Sequence, residues 1–440
     1  MHTLVFLDPG HFHAALTLRE RHPLVRDEIV VYAPASPDDP REGREVVEFL
    51  ALLEAFNRRP ERPTRWRVVV RAGDDPLGRL LGERPGDVVI LAGKNDRKMA
   101  LIRRLHDAGF HVLADKPWIT TAAAVGDVRH VLGGGAWVME MMTGRHAPTS
   151  MVAERLVGEP DVFGGFATGA GEPSIRLASV HHLEKSVNGA PLRRPPWFFD
   201  VRVQGDGLAD IPTHLVDQAQ RLLRAHGAAS ARDAELLAVR RWSTSVPRAL
   251  FARVTGLPDF PRDLRADVAG DVLAYAGNAE LSFRLRGVDV HLTTRWDLTA
   301  PPGGGDAHSA TVAGSGARVR IEQGPQTGFR RRLFVEPRGN GSRVEAALGR
   351  AVAAWQPEHP GLAVVRAPDG FEIEIPDGPG TGHESQFPLV LDEFLGAIER
   401  GGWPDERAAG TLAKYELLAR ALAFVSHGGA HGRAPARDAT

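Results

Sequence analysis

The first roughly 140 residues alternate short apolar runs with longer amphipathic stretches, and this alternation limits the possible folds more than any other feature. Short runs rich in Val, Ile and Leu are typical of strands covered on both faces. The stretches between them repeat apolar residues at spacings of three and four, which predicts helices. We therefore predict an α/β domain with a doubly wound sheet. The predicted strands are Leu4–Leu7, Ile29–Tyr32, Arg67–Val70, Val88–Leu91, His111–Ala114 and Trp137–Met139, and the predicted helices are Gly43–Asn57, Lys98–Ala108 and Thr120–Leu132.

After about residue 145 the chain becomes richer in Gly, Pro and Arg, and long helical periodicity becomes rare. This texture predicts an α+β domain with a large, mostly antiparallel open sheet. We place the domains at 1–142 and 143–440, with C-terminal helices at about 386–424 that could pack back toward the first domain. The predicted strands are Val162–Thr168, Leu236–Trp242, Glu280–Leu285, Val288–Arg295, Arg318–Glu322 and Arg332–Val335, and the predicted helices are Ile211–Leu223, Gln386–Ile398 and Ala408–Phe424.

Charge and composition exclude several classes of protein. Lys and Arg number 54 and Asp and Glu number 55, so no basic excess favours nucleic acid or an anionic membrane as a partner. The chain has no cysteine, which excludes disulfides, thiolate zinc sites and iron–sulfur clusters. No stretch approaches the roughly 18 apolar residues of a membrane helix, and the N-terminus lacks a signal-peptide pattern. These features predict a cytoplasmic protein.

The turn after the first predicted strand lies where a doubly wound sheet would bind a dinucleotide. Such a turn usually carries three glycines, which let the backbone approach a pyrophosphate. Here the three positions are Asp8, Gly10 and His13, so only the middle glycine is present. The second strand ends at Tyr32-Ala33-Pro34, with neither an acid for a ribose nor an Arg for a 2′-phosphate. The turn is open to two interpretations: a variant dinucleotide site, or an ordinary turn without a ligand.

A longer motif runs from Asp87 to Thr121 and reads DVVILAGKNDRKMALIRRLHDAGFHVLADKPWITT. It resembles the glucose–fructose oxidoreductase / inositol dehydrogenase (Gfo/Idh/MocA) family, in which an Asn is followed by a His and then by Glu-Lys-Pro. Asn95 matches the Asn, Lys98 stands where the His is usual, and Asp115-Lys116-Pro117 matches Glu-Lys-Pro. Lys116 follows a predicted buried strand, so it should lie at the edge of the sheet where doubly wound folds bind ligands.

A second motif, GDGLADIPTHLVD, spans Gly205 to Asp217. Asp210 and His214 are four residues apart and should share one helix face. The same family carries an Asp and a His at these places in its active site, although Pro212 replaces a glycine of the family pattern. A capped helix with a polar first turn is the alternative interpretation.

The resemblance implies a Rossmann-type first domain and an oxidoreductase that acts on a hydroxyl of a sugar, polyol or related carbohydrate. NAD or NADP would accept the hydride, His214 would be the general base, Asp210 would orient it, and Lys116 would polarise the hydroxyl. Many family members have a cis peptide before the Pro of the motif. The start DPGHFH is similar to that of a divergent oxidoreductase subgroup. The implied cofactor-binding residues are Asp8, Gly10, His11, Phe12, His13, Gly93, Asn95, Asp115, Lys116 and Pro117.

Basic and aromatic residues in the second predicted domain are candidates for carbohydrate binding, because rings pack on sugar C–H faces and Arg binds hydroxyls. The candidates are His181, His182, Lys185, Arg193 and Trp197. Packing in a loop core is an equally plausible role for them. Trp296-Asp297 and the Gly303–His308 segment that follows could line a cleft or be a solvent loop. The open face of the predicted sheet would suit a homodimer.

Three other functions stay open. A metal-dependent hydrolase or lyase could draw its ligands from a set of His and Asp residues, although no motif predicts a metal site. That set is His181, His182, Asp210, His214 and His308. A carbohydrate-cleaving enzyme could use bound NAD as a catalytic cofactor. A non-catalytic sensor would explain the missing glycines, but it would not need Lys116, Asp210 and His214.

Overall fold

The computed structural model describes residues 1–35, 40–167, 171–187, 190–224, 233–378, 380–402, 405–426 and 431–433. The chain divides into two compact units. The first unit comprises Met1–Ala147 and Pro379–Ala408, and the second comprises Pro148–Gly378 and Ala409–Thr440. A segment that follows β18 in sequence is therefore part of the first unit.

The strands are β1 (Leu4–Leu7), β2 (Glu28–Pro34), β3 (Arg67–Gly73), β4 (Val88–Leu91), β5 (His111–Ala114), β6 (Val138–Glu140), β7 (Ile175–Glu184), β8 (Ser186–Val187), β9 (Ala190–Pro191), β10 (Ala234–Pro247), β11 (Val268–Ala269), β12 (Val272–Leu285), β13 (Val288–Thr299), β14 (Ala307–Ala313), β15 (Ala317–Gln323), β16 (Arg332–Pro337), β17 (Ala363–Ala367), β18 (Gly370–Glu374) and β19 (His431–Arg433). The α-helices are α1 (His13–Leu16), α2 (Pro40–Arg58), α3 (Pro76–Glu83), α4 (Lys98–Asp107), α5 (Val125–Val131), α6 (Pro148–Val157), α7 (Val201–Gln204), α8 (Pro212–Leu222), α9 (Arg248–Thr255), α10 (Gly341–Trp355), α11 (Gln386–Arg400) and α12 (Asp405–Ser426).

The sheet of the first unit has six strands in the order β3-β2-β1-β4-β5-β6 among the described residues. All neighbouring strands are parallel. Successive strands are added on one side of β1 up to β3 and on the other side from β4 onward, so the order reverses between β1 and β4. Doubly wound sheets bind ligands in the crevice beyond the carboxyl ends of the strands at this position. The predicted doubly wound α/β fold is confirmed.

The core of the first unit includes a helix from the far end of the sequence. In α11, apolar residues recur at spacings of three and four, which forms one apolar face. That face is buried in the same cluster as the residues of β1, β2 and β4. The buried residues of this face are Phe387, Val390, Leu391, Phe394 and Leu395.

The second unit is built on an open sheet of eleven strands within the described ranges. Its order is β17-β18-β16-β15-β14-β7-β13-β12-β10-β19, and β11 pairs with β12. The pair of β7 and β13 is parallel, and the other pairs are antiparallel, which confirms the predicted α+β domain with a mostly antiparallel sheet.

Two strand predictions in this unit need correction. The strand predicted at Val162–Thr168 is reduced to one bridge, between Phe166 and Gly314, in its described part 162–167. The central strand β7 was not predicted, because its buried face includes Ser179 as well as Ile175 and Leu177 and so gives no uniform apolar run. Among the described residues, no helix combines the length and the apolar composition required to cross a membrane.

Candidate active site

The turn that follows β1 is packed tightly against the segment after β4. Asp8 has a φ of 47°, in the left-handed region, and its backbone N–H donates to the carbonyl of Tyr32 at 2.8 Å. The N–H of His11 donates to the carbonyl of Ala92 at 3.0 Å. A Cβ at Gly93 would lie 2.6 Å from the carbonyl oxygen of Asp8. Gly93 is therefore required for this close approach of two backbones.

Asp115 connects this turn to the end of β5. Its Oδ2 accepts a hydrogen bond from His13 Nδ1 at 2.8 Å, and its Oδ1 accepts from the N–H of Lys116 at 2.9 Å. Burial alone would raise the pKa of Asp115, but His13 and Lys98 hold that pKa well below its usual range. The carboxylate is therefore ionised, and it holds the His13 ring, which also packs on Phe387 with the ring centroids 4.5 Å apart.

His11 is the second imidazole beside this carboxylate. Its Nδ1 lies 3.5 Å from Asp115 Oδ2, and it has no hydrogen-bond partner among the described residues. The ring meets His13 edge-on, at 4.1 Å between centroids. Burial and the neighbouring His13, Lys116 and Lys98 lower the pKa of His11 well below its usual value, although Asp115 acts in the opposite direction. His11 is therefore neutral at pH 7.

Two further motif residues lie next to this group. Lys98 is buried in the first turn of α4, and its Nζ donates to Asn95 Oδ1. Lys116 is partly buried directly after β5, and the Lys116–Pro117 peptide is cis. Trp118 is fully buried and donates its Nε1 to the carbonyl of Ala114 at 3.3 Å. The structure thus places the predicted cofactor-binding residues together at the carboxyl ends of β1, β4 and β5.

In the second unit, Asp210 and His214 lie at the start of α8. Asp210 is buried, and its carbonyl accepts from Thr213 Oγ1 at 2.6 Å. The preceding turn is fixed by Asp206, whose Oδ1 accepts from the backbone N–H of Leu208 at 2.9 Å. His214 is partly buried, one helical turn after Asp210. Burial and the charge of Asp210 raise the pKa of Tyr275 well above its usual value, so that phenol stays protonated.

Three of the predicted substrate residues share one carboxylate, that of Asp306. His181 Nδ1 donates to Asp306 Oδ2 at 2.9 Å, the N–H of His182 donates to Oδ1 at 3.2 Å, and Lys185 Nζ donates to Oδ2. The other ring nitrogen of His181, Nε2, forms a hydrogen bond with Ser179 Oγ at 2.6 Å. Burial alone would raise the pKa of Asp306, but His181 and Lys185 hold it well below its usual range.

The remaining two predicted substrate residues, Arg193 and Trp197, do not join the group around Asp306. Arg193 donates to the carbonyl of Arg253 in an exposed position, and Trp197 packs against the apolar core of the unit. Arg194 is buried instead, and it donates to the carbonyls of Leu183 at 2.8 Å and His182 at 2.7 Å. The structure therefore brings Arg194, rather than Arg193, to the group around Asp306.

The His and Asp residues considered above as metal ligands do not lie close enough together to bind one ion. In the part of the chain that the structure describes, their donor atoms form no set of three within 4.8 Å of one another. The residues are His181, His182, Asp210, His214 and His308. Their positions give no support to a metal-dependent hydrolase or lyase.

Comparison with known proteins identifies the family. Residues 152–426 match the family model described as "Putative oxidoreductase C terminal domain". A solved structure of a "putative oxidoreductase" from Parabacteroides merdae ATCC 43184 is 35% identical and superposes with a TM-score of 0.90, over 97% of this chain and 98% of that chain. The chain belongs to this family. A search of the curated proteins found no match.

More distant structures share the fold of this oxidoreductase. Levoglucosan dehydrogenase is 15% identical, with a TM-score of 0.60 over 99% of both chains. A "putative myo-inositol dehydrogenase" from Sinorhizobium meliloti 1021 is 16% identical, with a TM-score of 0.53 over 96% of this chain and 98% of that chain. The family match therefore confirms the predicted oxidoreductase, and the distant structures confirm the predicted fold.

Sequence reasoning noted Asp306 and Trp296 only as parts of a polar loop that could line a cleft, and it did not predict their contacts with the predicted substrate residues. Asp306 was noted only within a polar loop, although it is the acceptor shared by His181, His182 and Lys185. Trp296 is buried against His181, with the ring centroids 5.0 Å apart, and its Nε1 has no acceptor in the described ranges. The Gly-Gly-Gly-Asp sequence before β14 indicates a polar loop that contains Asp306, but it does not predict which residues contact Asp306.

Proposed function

We propose that this protein is an NAD(P)-dependent oxidoreductase that acts on a hydroxyl of a sugar, polyol or related carbohydrate. The observation that carries the proposal is the Asp115-Lys116-Pro117 segment, which follows a parallel strand directly at the ligand-binding edge of the sheet. Family membership supports the reaction class. Levoglucosan dehydrogenase, which shares the fold, has been solved with NADH and levoglucosan.

The residues around the first turn fit a dinucleotide. Gly93 lets the segment after β4 pack directly on this turn, since a Cβ there would lie 2.6 Å from the Asp8 carbonyl oxygen and 3.2 Å from the Gly10 nitrogen. His11, His13, Lys98 and Lys116 provide basic groups around the carboxylate of Asp115. The nicotinamide, when bound, supplies the hydride acceptor. The residues that would hold the dinucleotide are Asp8, Gly10, His11, Phe12, His13, Gly93, Asn95, Asp115, Lys116 and Pro117.

We assign the chemistry at the hydroxyl group to three side chains of the two sequence motifs. His214 would accept the hydroxyl proton, since an imidazole has an unperturbed pKa near neutrality. Asp210, one helical turn earlier, would favour the imidazolium that forms. Lys116 would donate a hydrogen bond to the oxygen as negative charge develops on it. Substrate hydroxyls would bind the group formed by His181, His182 and Lys185, next to which Arg194 lies.

The test is substitution of Lys116 and His214, the two residues proposed to contact the reacting hydroxyl group. Lys116→Ala and His214→Ala should each lower turnover by at least about 10²–10⁴-fold, the usual contribution of a general acid or base. Binding of NAD⁺ or NADP⁺, measured by calorimetry, should largely survive. His359→Ala, a partly exposed histidine of the second unit, is the matched control and should keep full turnover. Full activity in either test variant, with a panel of sugars and polyols, would contradict the assignment.

A second candidate function is carbohydrate cleavage with NAD as a catalytic cofactor. Oxidation at one carbon acidifies the neighbouring C–H, and elimination then needs a second acid–base group. His181, held by Asp306 at 2.9 Å, supports this candidate because it is an oriented imidazole in addition to His214. Tightly held nicotinamide with glycoside cleavage and no net NADH would favour cleavage over net oxidation.

A further inference from the structure

The first turn lacks the features that usually bind a pyrophosphate in a doubly wound fold. Helix α1 has only four residues, so its dipole gives little positive charge at the turn. The outer two glycine positions are occupied by Asp8 and His13. A dinucleotide bound here must therefore find its compensating charge in side chains.

His11 is the side chain best suited to that role. Its Nδ1 is buried without a hydrogen-bond partner among the described residues, and it lies 3.5 Å from Asp115 Oδ2, which accepts from His13 at 2.8 Å. In the absence of a ligand His11 is neutral: burial disfavours its charged form, and the nearby basic groups add to that effect.

The groups that face His11 come from three elements. His13 belongs to α1, Lys98 to α4, and Asp115 and Lys116 follow β5. Three of these four groups are bases, and the only acid among them is engaged by His13. An anion that arrives beside His11 would offset this excess of basic groups and favour the charged imidazole.

A metal ion is the alternative occupant of this cluster. The donor atoms of His11, His13 and Asp115 lie within 4.8 Å of one another, a spacing that a metal ion could bridge. A divalent cation, however, would add positive charge beside Lys98 and Lys116, whose charges already act on this group. The charge of the surroundings favours an anion instead.

We propose that binding of a dinucleotide pyrophosphate at the first turn adds a proton to His11, which then acts as the cationic contact to the phosphates. The proposal rests on the proposed function, since it assumes that this turn binds the cofactor. In this proposal His11 supplies the favourable contact to the pyrophosphate that the glycine positions and the helix dipole usually supply.

The sign of the pH dependence follows from linkage. Before binding, His11 is neutral at pH 7, and next to a dianion its charged form is favoured, so the complex holds more protons than the free protein. Affinity should therefore fall as the pH rises above neutrality. One linked proton limits the loss to about tenfold in the dissociation constant per pH unit.

The experiment is calorimetric titration of the full-length protein with NAD⁺ at pH 7 in two buffers of different ionisation enthalpy. The difference in apparent enthalpy gives the number of protons taken up, which should be clearly above zero and at most one. ADP-ribose, which retains the pyrophosphate but lacks the nicotinamide, should give the same number. Zinc chloride in place of the nucleotide should release no more than trace heat.

Two variants assign the proton. His11→Asn should bind NAD⁺ more weakly, with no proton uptake and a flat pH dependence. His130→Asn, the same change at an exposed histidine of α5, should match the unchanged protein. Uptake that persists in His11→Asn, NAD⁺ binding without uptake, or strong zinc binding would overturn the proposal and leave the proposed function standing. If neither NAD⁺ nor NADP⁺ binds, this proposal and the proposed function are both overturned.

Discussion

Asp115 follows β5 and connects it to the first turn and to β4. It accepts from His13 through one oxygen and from the Lys116 N–H through the other, and its own N–H donates to the carbonyl of Leu91 at 2.7 Å. The pKa of this carboxyl lies well below its usual range, since His13 and Lys98 outweigh the effect of burial. A folded-state pKa below the unfolded value means that the ionised carboxylate stabilises the fold.

The variant Asp115→Asn should therefore be less stable than the unchanged protein at pH 7. Breaking a buried ion pair by removing one partner typically costs about 3–5 kcal/mol, and because Asn keeps one acceptor we expect the lower end of that range. The stabilisation is complete above the ordinary Asp pKa of about 3.9 and is lost as the pH falls through the folded-state value. Urea unfolding at several pH values measures the difference.

The matched control is Asp74→Asn, the same change at an exposed position of the first unit. It should leave stability within about 0.5 kcal/mol of the unchanged protein. Equal stability of Asp115→Asn and Asp74→Asn at pH 7 would show that the Asp115 ion pair contributes nothing.

At this scale, the sequence could predict residues that belong to a contiguous motif. Asn95, Lys98, Asp115 and Lys116 are found because their spacing along the chain is informative by itself. The contact of Asp306 with Lys185 could not be predicted, since 121 positions separate the two residues and only the pairing of β7 with β14 brings them together. Arg193 was chosen over Arg194 because sequence alone does not say which of two adjacent arginines faces inward.

Among the elements, the turn between α7 and α8 is held unusually close to β12. The N–H of Gly207 donates to the carbonyl of Ala276 at 2.9 Å. A Cβ on Gly207 would lie 2.4 Å from the carbonyl oxygen of Asn278 and 2.7 Å from its backbone nitrogen. These neighbours are backbone atoms of a paired strand, so they cannot move aside easily.

Gly207→Ala should accordingly push this turn, and Asp210 with it, away from the sheet. We expect a loss of about 1–3 kcal/mol in stability, typical of overpacking, together with a large loss of turnover. Denaturant unfolding and a steady-state assay measure the two effects. Gly349→Ala in α10, where nothing lies within 4 Å of the added Cβ, should retain both stability and activity. A Gly207→Ala protein with full turnover would exclude a positioning role for this contact.

The elements of the first unit were easier to predict than those of the second, for a physical reason. A parallel strand buried on both faces is apolar throughout, so β1, β4 and β5 could be read directly as apolar runs. In β7 the polar Ser179 is buried beside His181, with which it forms a hydrogen bond. Buried polar residues of this kind remove the alternation from which strands are recognised.

The whole molecule has an organisation that its linear sequence does not reveal. The first unit takes up the segment Pro379–Ala408 after the chain has passed through every strand of the second sheet except β19. The apolar face of α11 could be predicted from its periodicity, but periodicity does not identify the surface that covers it. Only the packing of α11 with β1 and β4 in one buried cluster assigns this helix to the first unit.

This organisation predicts which strands depend on α11. Phe394 is fully buried in the cluster of the first unit, and Phe251 is fully buried in the core of the second. Phe394→Ala should destabilise the first unit by about 3–5 kcal/mol through loss of buried contacts, and Phe251→Ala should do the same to the second. In hydrogen-exchange mass spectrometry, Phe394→Ala should reduce protection in peptides of β1 and β4 more than in β12 and β13. Phe251→Ala should give the reverse. If Phe394→Ala leaves β1 fully protected, the helix does not complete the first unit, and the boundary must be drawn before it.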